Sequence, residues 1–175
     1  MEETMKEATT LEVPRELEEA IRLREDGQLE AANRRLVALA TQYPDDARVN
    51  YHCAWSFDAL GREAEAVSYY ERALIADAPR LAEDERQGAM LGLGSTYRTL
   101  GQYKRARDVL AKGVQKFPNH RALQVFYAMT LYNLKEHSQA MEILLRQLAE
   151  TSNDDTVNHY KRAIAFYADK LDTTW

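Results

Sequence analysis

The stretch LGSTYRTLGQYKRARDVLAKGVQKFP, from Leu93 to Pro118, decides the fold of this 175-residue chain. Its central alanine is one of four that stand in similar runs of sequence, separated by 34, 40 and 34 residues. A period of about 34 residues is typical of stacked helix pairs, because each pair buries its apolar face only against its neighbours. The four alanines are Ala32, Ala66, Ala106 and Ala140.

Small and bulky residues recur at fixed distances from these alanines. Twelve residues before each alanine stands a small residue, which lets the two helices of a hairpin approach closely. Bulky residues stand nine positions before and four positions after, where they fill the space between neighbouring hairpins. The small residues are Ala20, Ala54, Gly94 and Ala128. The bulky residues are Leu23, Phe57, Tyr97 and Leu131, then Leu36, Tyr70, Leu110 and Leu144.

Glycine and proline mark the ends of the predicted helices. Five residues before the alanine, three units have a glycine, which can adopt the left-handed conformation that ends a helix. The fourth unit has Lys135 at this position. Proline near the end of the second helix stops that helix. These residues are Gly27, Gly61 and Gly101, and Pro44, Pro79 and Pro118.

In these features the chain resembles the tetratricopeptide repeat (TPR) proteins. The repeat pattern of that family includes L-G-x2-Y, then A-x3-F, then P. LGSTY at residues 93–97 matches the first part, Ala106 and Leu110 match the second, and Pro118 matches the third. The resemblance covers about residues 13–152, and its fourth unit departs from the pattern. More narrowly, LGSTYRTLGQY followed by ALQVFYAMTLYNL is similar to a group of small bacterial repeat proteins, mostly of unassigned function, for which dimerisation has been suggested.

The resemblance implies an all-α fold, a right-handed α-solenoid of about four helix hairpins with a C-terminal capping helix. We expect a flexible N-terminus at 1–12, repeat units at about 13–46, 47–80, 81–120 and 121–152, and a capping helix with a tail at 153–175. The 40-residue spacing predicts a longer first helix in the third unit. The final helix, near 155–171, carries one apolar stripe. That stripe consists of Val157, Tyr160, Ile164, Tyr167 and Leu171.

The resemblance further implies a non-enzymatic scaffold whose first helices line a concave groove for a peptide or helix. Aromatic side chains there could clamp a partner, and Arg98 could pair with a carboxylate or phosphate. The alternatives are a homodimer formed through the groove edge or final helix, a sensor of a peptide signal, and plain core packing of these residues. The candidate groove residues are Tyr51, His52, Trp55, Asp58, Leu91, Ser95, Arg98, Phe126, Met129, Tyr132 and Asn133, with Leu17, Ile21 and Arg24 in the first unit.

Other function classes find little support in the sequence. The net charge of −5 does not favour a nucleic-acid partner, and no apolar run approaches the ~20 residues that cross a membrane. No metal motif or nucleophile–base pair is present, so we expect no cofactor, no metal and no catalytic residue. One cysteine and no signal sequence fit the cytoplasm. The basic run from Lys104 to Arg121 is interpreted as a solvated helix face, with an acidic partner's docking patch as the alternative.

Overall fold

The computed structural model describes residues 15–75 and 81–174, and every regular element in these two stretches is an α-helix. The predicted all-α fold is therefore confirmed, while residues 1–12, Pro79 and Trp175 lie outside the described stretches. In chain order the helices are α1 (15–25), α2 (Leu29–Gln42), α3 (Ala47–Ala59), α4 (Glu63–Leu74), α5 (Glu83–Thr99), α6 (Tyr103–Lys116), α7 (Arg121–Asn133), α8 (His137–Thr151), α9 (Asp155–His159) and α10 (Lys161–Tyr167).

The chain divides into two compact units, Met1–Thr96 and Tyr97–Trp175. In the first unit α2 packs on α3 and α3 packs on α4. In the second unit α6 packs on α7 and α7 on α8, while α10 lies against α8 and α9. Helices α2 to α4 and helices α6 to α8 thus pack in chain order, as expected for tandem helix hairpins.

The repeated positions form the cores of these hairpins. The four period-marking alanines and the four small residues paired with them are all buried. Most of the bulky positions are buried as well, including Leu36, Leu110 and Leu131. The exceptions are Leu23 on α1, which is half-buried, and Leu144 on α8, whose residue surface is 37% exposed. The spacing rule therefore identifies buried core positions except at Leu23 in the first unit and at the end of the fourth unit.

The helix-ending turns have the geometry that glycine favours. Gly27, Gly61 and Gly101 have φ angles of 77°, 68° and 74°. In the turn at Gly101, its N–H donates to the Arg98 carbonyl at 3.0 Å, and the next N–H donates to the Tyr97 carbonyl at 2.8 Å. These two bonds satisfy carbonyls that the helix end leaves free. Lys135 adopts the same conformation, with φ of 70°, and closes the same pair of bonds.

Two elements differ from the common hairpin. Helix α5 has 17 residues where α3 and α7 have 13, which confirms the longer first helix of the third unit. At the C-terminus the predicted single helix is divided at Tyr160 into α9 and α10, and most of its apolar stripe is exposed. Thr156, Val157, Asn158 and His159 all have modest helix propensity, which weakens the helix at this point.

Candidate functional site

The predicted groove residues fall into two groups, one in each compact unit. The residues of the first group lie on α3 and α5, and the residues of the second group lie on α5 and α7. The first group is Tyr51, His52, Trp55, Asp58, Leu91 and Ser95. The second group is Arg98, Phe126, Met129, Tyr132 and Asn133.

Tyr51 is part of the core of the first unit, with only 7% of its surface exposed. Its ring lies against the backbone of α5 at Gly88, where an added Cβ would stand 2.3 Å from the Tyr51 hydroxyl oxygen. One turn later, a Cβ on Gly92 would stand 2.4 Å from the ring of Tyr70. The two glycines therefore serve close packing of tyrosine rings on α5.

His52 is equally buried and belongs to a polar chain across three helices. Arg24 donates from Nη1 to His52 Nδ1 at 3.3 Å, and His52 Nε2 lies 3.4 Å from Glu85 Oε1. Burial and, as the second cause, the Arg24 guanidinium together lower the pKa of His52 to about 4. The Glu85 carboxylate opposes this shift, but it also accepts a 2.7 Å bond from Arg48. His52 is therefore a neutral packing residue.

Asp58 accepts hydrogen bonds from two buried hydroxyl groups. Tyr70 donates to Asp58 Oδ2 at 2.8 Å, and Thr96 donates to Oδ1 at 3.0 Å. Burial raises the pKa of Asp58, while the two hydroxyl groups act in the opposite direction. Because the carboxylate is already bonded within the unit, Asp58 joins helices α3, α4 and α5.

Trp55 is the candidate in the first unit with a large exposed surface. It is 43% exposed, and the Arg24 guanidinium carbon lies 3.6 Å from the centre of its ring. This stacking keeps the indole in place, because the guanidinium and the ring attract each other. Leu91 and Ser95 are half-buried, whereas Leu17, Ile21 and Arg24 are buried.

Four of the five candidates in the second unit meet around one cavity, here called the α7–α8 pocket. Its volume is about 420 Å³. Phe126 is half-buried and does not line it. The pocket is lined by Arg98, Met129, Tyr132 and Asn133 of the predicted set, and by Ala128, His137, Ala140, Met141 and Leu144.

The pocket follows from the spacing of residues on two helices. Met129, Tyr132 and Asn133 stand three and four residues apart on α7, so they share one face. Met141 and Leu144 do the same on α8, and the His137 ring centre lies 4.7 Å from that of Tyr132. Ala128 and Ala140 form the floor, where their small side chains leave room.

The α8 side of the pocket was missed in the sequence. Leu144 was assigned to packing between hairpins because it follows Ala140 by four residues, and Met141 was assigned no role. The signal that could have found them is the departure of the fourth unit from the pattern. Where the residues depart from the repeat pattern, the positions that pack between hairpins elsewhere need not be covered by a neighbouring helix.

Two residues that line the pocket each have a buried polar atom that lacks a hydrogen-bond partner within the part of the chain that the structure describes. These atoms are Arg98 Nε and Asn133 Oδ1. The first is a donor and the second an acceptor. A buried polar group without a partner costs about 1–3 kcal/mol, so a ligand that satisfies both atoms would recover that free energy.

The cysteine has a structural role, and the side chains of the basic run are spread over the surface. Cys53 is buried, and burial raises the pKa of its thiol to about 12. Most of the basic run on α6 is exposed, and Arg105 stacks on Tyr97 while Arg121 pairs with Glu150. Among the described residues, no group of His, Cys, Asp and Glu is placed to hold a metal ion. In the same stretches, no helix is both long and apolar enough to cross a membrane.

Comparison with known proteins agrees with the helix-hairpin architecture. A family model described as Tetratrico peptide repeat matches residues 47–171, from α3 to the residues after α10. Superkiller protein 3 of Saccharomyces cerevisiae is 25% identical over 109 residues, which are 58% of this chain and 7% of the yeast protein. The chain thus spans a small part of that relative. TPR repeats generally mediate protein–protein interaction, typically as non-enzymatic scaffolds. Because the family model matches well over half of its residues, the chain belongs to the tetratricopeptide repeat family.

Proposed function

We propose that the chain is a protein-interaction scaffold that binds a peptide or helix of its partner through the α7–α8 pocket. The observation that carries this proposal is the pocket itself, where Arg98, Met129, Tyr132 and Asn133 meet the open face of α8. Its volume of about 420 Å³ lies within the range of roughly 300–1,000 Å³ that is usual for ligand pockets.

The composition of the pocket suits protein recognition. Tyrosine and arginine are frequent energetic anchors of interfaces, and the pocket has Tyr132 and Arg98. Methionine side chains adapt their shape to different apolar partners, and Met129 and Met141 stand on opposite walls. The pocket therefore combines rigid anchors with an adaptable apolar lining.

The test compares capture of partners by the full chain and by the double variant Tyr132→Ala, Met141→Ala. Both a lysate of the native host and a random peptide display library are passed over immobilised protein. The control is Ile75→Ala, which removes a side chain that is 76% exposed in the other unit. We expect binding to fall at least tenfold in the double variant only. Unchanged binding by a folded double variant would contradict the proposal.

A homodimer is the second candidate function. Of the twelve large apolar side chains that the described residues expose, nine lie between Met129 and Leu171. Such a concentration on one unit favours self-association, since exposed apolar patches mark interaction sites. Gel filtration with light scattering decides this: a mass near the 20.1 kDa of one chain at high concentration would exclude it.

We also propose for this chain the remaining properties that its sequence predicts. We propose a cytoplasmic protein without cofactor or nucleic-acid partner, built of units at the predicted boundaries and related to the small bacterial repeat proteins. The groove of eleven residues also stays a prediction, as does the alternative of a peptide-signal sensor, which no particular residue favours.

A further inference from the structure

We propose that the α7–α8 pocket binds an extended peptide segment in which an acidic residue and a bulky apolar residue stand two positions apart. This inference rests on the proposed scaffold function and names the chemistry of the partner at the same site. It is carried by the charge of the lining, by the two unpartnered polar atoms, and by the dimensions of the cavity.

The acidic residue follows from Arg98. Among the described residues that line the pocket, Arg98 is the one Arg or Lys, and none is Asp or Glu. Within the described stretches its Nε is buried without a partner, whereas Arg48 and Arg146 each bond a carboxylate within their own unit. A planar guanidinium matches a carboxylate in two parallel hydrogen bonds. The partner therefore supplies the carboxylate that the pocket lacks.

The extended conformation follows from Asn133. Its Oδ1 atom is a buried acceptor that needs an N–H donor. The backbone N–H groups along a bound helix are already bonded to carbonyls within the helix. An extended segment keeps its N–H and C=O groups free, and the N–H and C=O of one residue point to the same side, so that residue can bond both the oxygen and the nitrogen of an asparagine amide. This favours an extended segment over a helix.

The spacing follows from geometry. Side chains two residues apart lie on the same side of an extended chain, and two residues advance the chain by ~6.6 Å. A cavity of 420 Å³ is about 9 Å across if it is spherical, which accommodates that advance. The acidic side chain then reaches Arg98 while the apolar side chain meets Met129, Met141 and Leu144.

The test uses peptide pools with acetylated N-termini and amidated C-termini, so that side chains supply the only carboxylates. One pool is XXXLXDXXX, where X is any neutral amino acid, and matched pools replace Asp with Asn or with Lys. We expect the full chain to bind the Asp pool at least tenfold more tightly than the Asn pool. Arg98→Gln should abolish this preference while the preference for Leu over Ala at the fixed position remains.

Charge reversal gives a readout that loss of folding cannot mimic. We expect Arg98→Glu to prefer the Lys pool over the Asp pool. The matched control is Arg34→Glu, which makes the same charge change at an exposed position on α2 in the other unit. We expect this control to keep the Asp preference. Thermal melting followed by circular dichroism verifies that each variant is folded.

The outcomes separate this inference from the proposed function. If the pools bind equally, or if Arg98→Glu keeps the Asp preference, the inference is wrong. The scaffold function then still stands when Tyr132→Ala, Met141→Ala weakens binding. Tighter binding of a stapled helical peptide, or of peptides with a free C-terminal carboxylate, also overturns the inference. If no peptide of any pool binds the full chain, both the inference and the peptide-binding function fail.

Discussion

At the scale of single residues, Lys135 occupies a conformation that the other three units assign to glycine. Its φ of 70° lies in the left-handed region, where a side chain costs roughly 1–2 kcal/mol. The hydrogen bonds of the turn are the same as in the glycine turns, so the strain is local to this residue. The sequence reveals this position directly, because the repeat aligns Lys135 with three glycines.

We predict that Lys135→Gly stabilises the protein by about 0.5–1 kcal/mol. Removing the side chain relieves the left-handed strain, although glycine also gains conformational entropy in the unfolded chain. Urea unfolding followed by circular dichroism measures the change. The matched control is Gly101→Lys, which should lower the free energy of unfolding. A stabilising effect of the control would show that the side chain is tolerated in this turn.

His52 makes stability depend on pH. Its pKa is about 4 in the folded protein and near 6.5 in the unfolded chain, so the unfolded chain binds more protons between these values. Stability is therefore retained above pH 6.5 and lost as the pH falls toward 4. We predict that wild type loses roughly 2 kcal/mol more than His52→Gln between pH 7 and pH 5. Equal losses in urea unfolding at the two pH values would contradict this assignment.

At the scale of elements, α5 is shaped by the tyrosine rings that lie on it. Glycine in a helix interior lowers helix stability by about 1 kcal/mol relative to alanine, yet α5 has Gly88 and Gly92 one turn apart. The close approach of Tyr51 and Tyr70 explains both. Repeat spacing identifies α5 as a helix and predicts its greater length, but it does not reveal which side chains from α3 and α4 reach its backbone.

We predict that Gly88→Ala destabilises the first unit by about 1–3 kcal/mol despite its better helix propensity. The new Cβ would stand 2.3 Å from the Tyr51 hydroxyl oxygen, and the buried ring has little room to move. The double variant Gly88→Ala, Tyr51→Phe removes that oxygen and should recover part of the loss. Thermal unfolding of wild type, Gly88→Ala, Tyr51→Phe and the double variant measures how far the two substitutions depend on each other. If their effects on stability simply add, the contact between Gly88 and Tyr51 is not the cause.

The C-terminal helices show where a periodic pattern misleads. An apolar stripe with spacing 3,4,3,4 predicted one helix, whereas the chain bends at Tyr160, whose N–H bonds the Val157 carbonyl three residues earlier at 3.1 Å. Periodicity reports which residues could share a face, but a run of weak helix formers decides whether the helix is continuous. The low helix propensity of residues 156–159 is visible in the sequence itself, although the apolar spacing alone does not reveal it.

At the scale of the whole molecule, the sequence predicts the architecture better than the site. Each repeat contacts only its neighbours, so 34-residue spacing is enough to place the hairpins and their buried alanines. The α7–α8 pocket depends instead on which packing positions remain uncovered, as Leu144 shows. Likewise, Tyr51 and His52 occupy groove positions by register but are buried against other helices, and the half-buried Asp58 is bonded to Tyr70 and Thr96. Register therefore predicts the element on which a residue stands, and not its accessibility.

We predict that protection from hydrogen exchange falls toward the C-terminus of the chain. Helices α9 and α10 are short and bury few side chains, whereas α3 is extensively buried. Local opening should therefore cost less free energy in α9 and α10 than in α3. Native-state exchange read by mass spectrometry measures this for each segment. Protection of α10 equal to that of α3 would show that the two open as one cooperative element.

The stacking around Trp55 gives the protein an optical reporter of its own. The chain has two tryptophans, so Trp175→Phe leaves Trp55 as the single indole emitter. The His52 ring is stacked with it at a centroid distance of 6.3 Å, and a positive charge on that imidazole would quench the emission. Fluorescence intensity would then record the protonation of His52 in the folded chain without any added dye. Because Trp55 belongs to the first unit, its fluorescence would also show whether a peptide bound at the α7–α8 pocket changes the surroundings of Trp55.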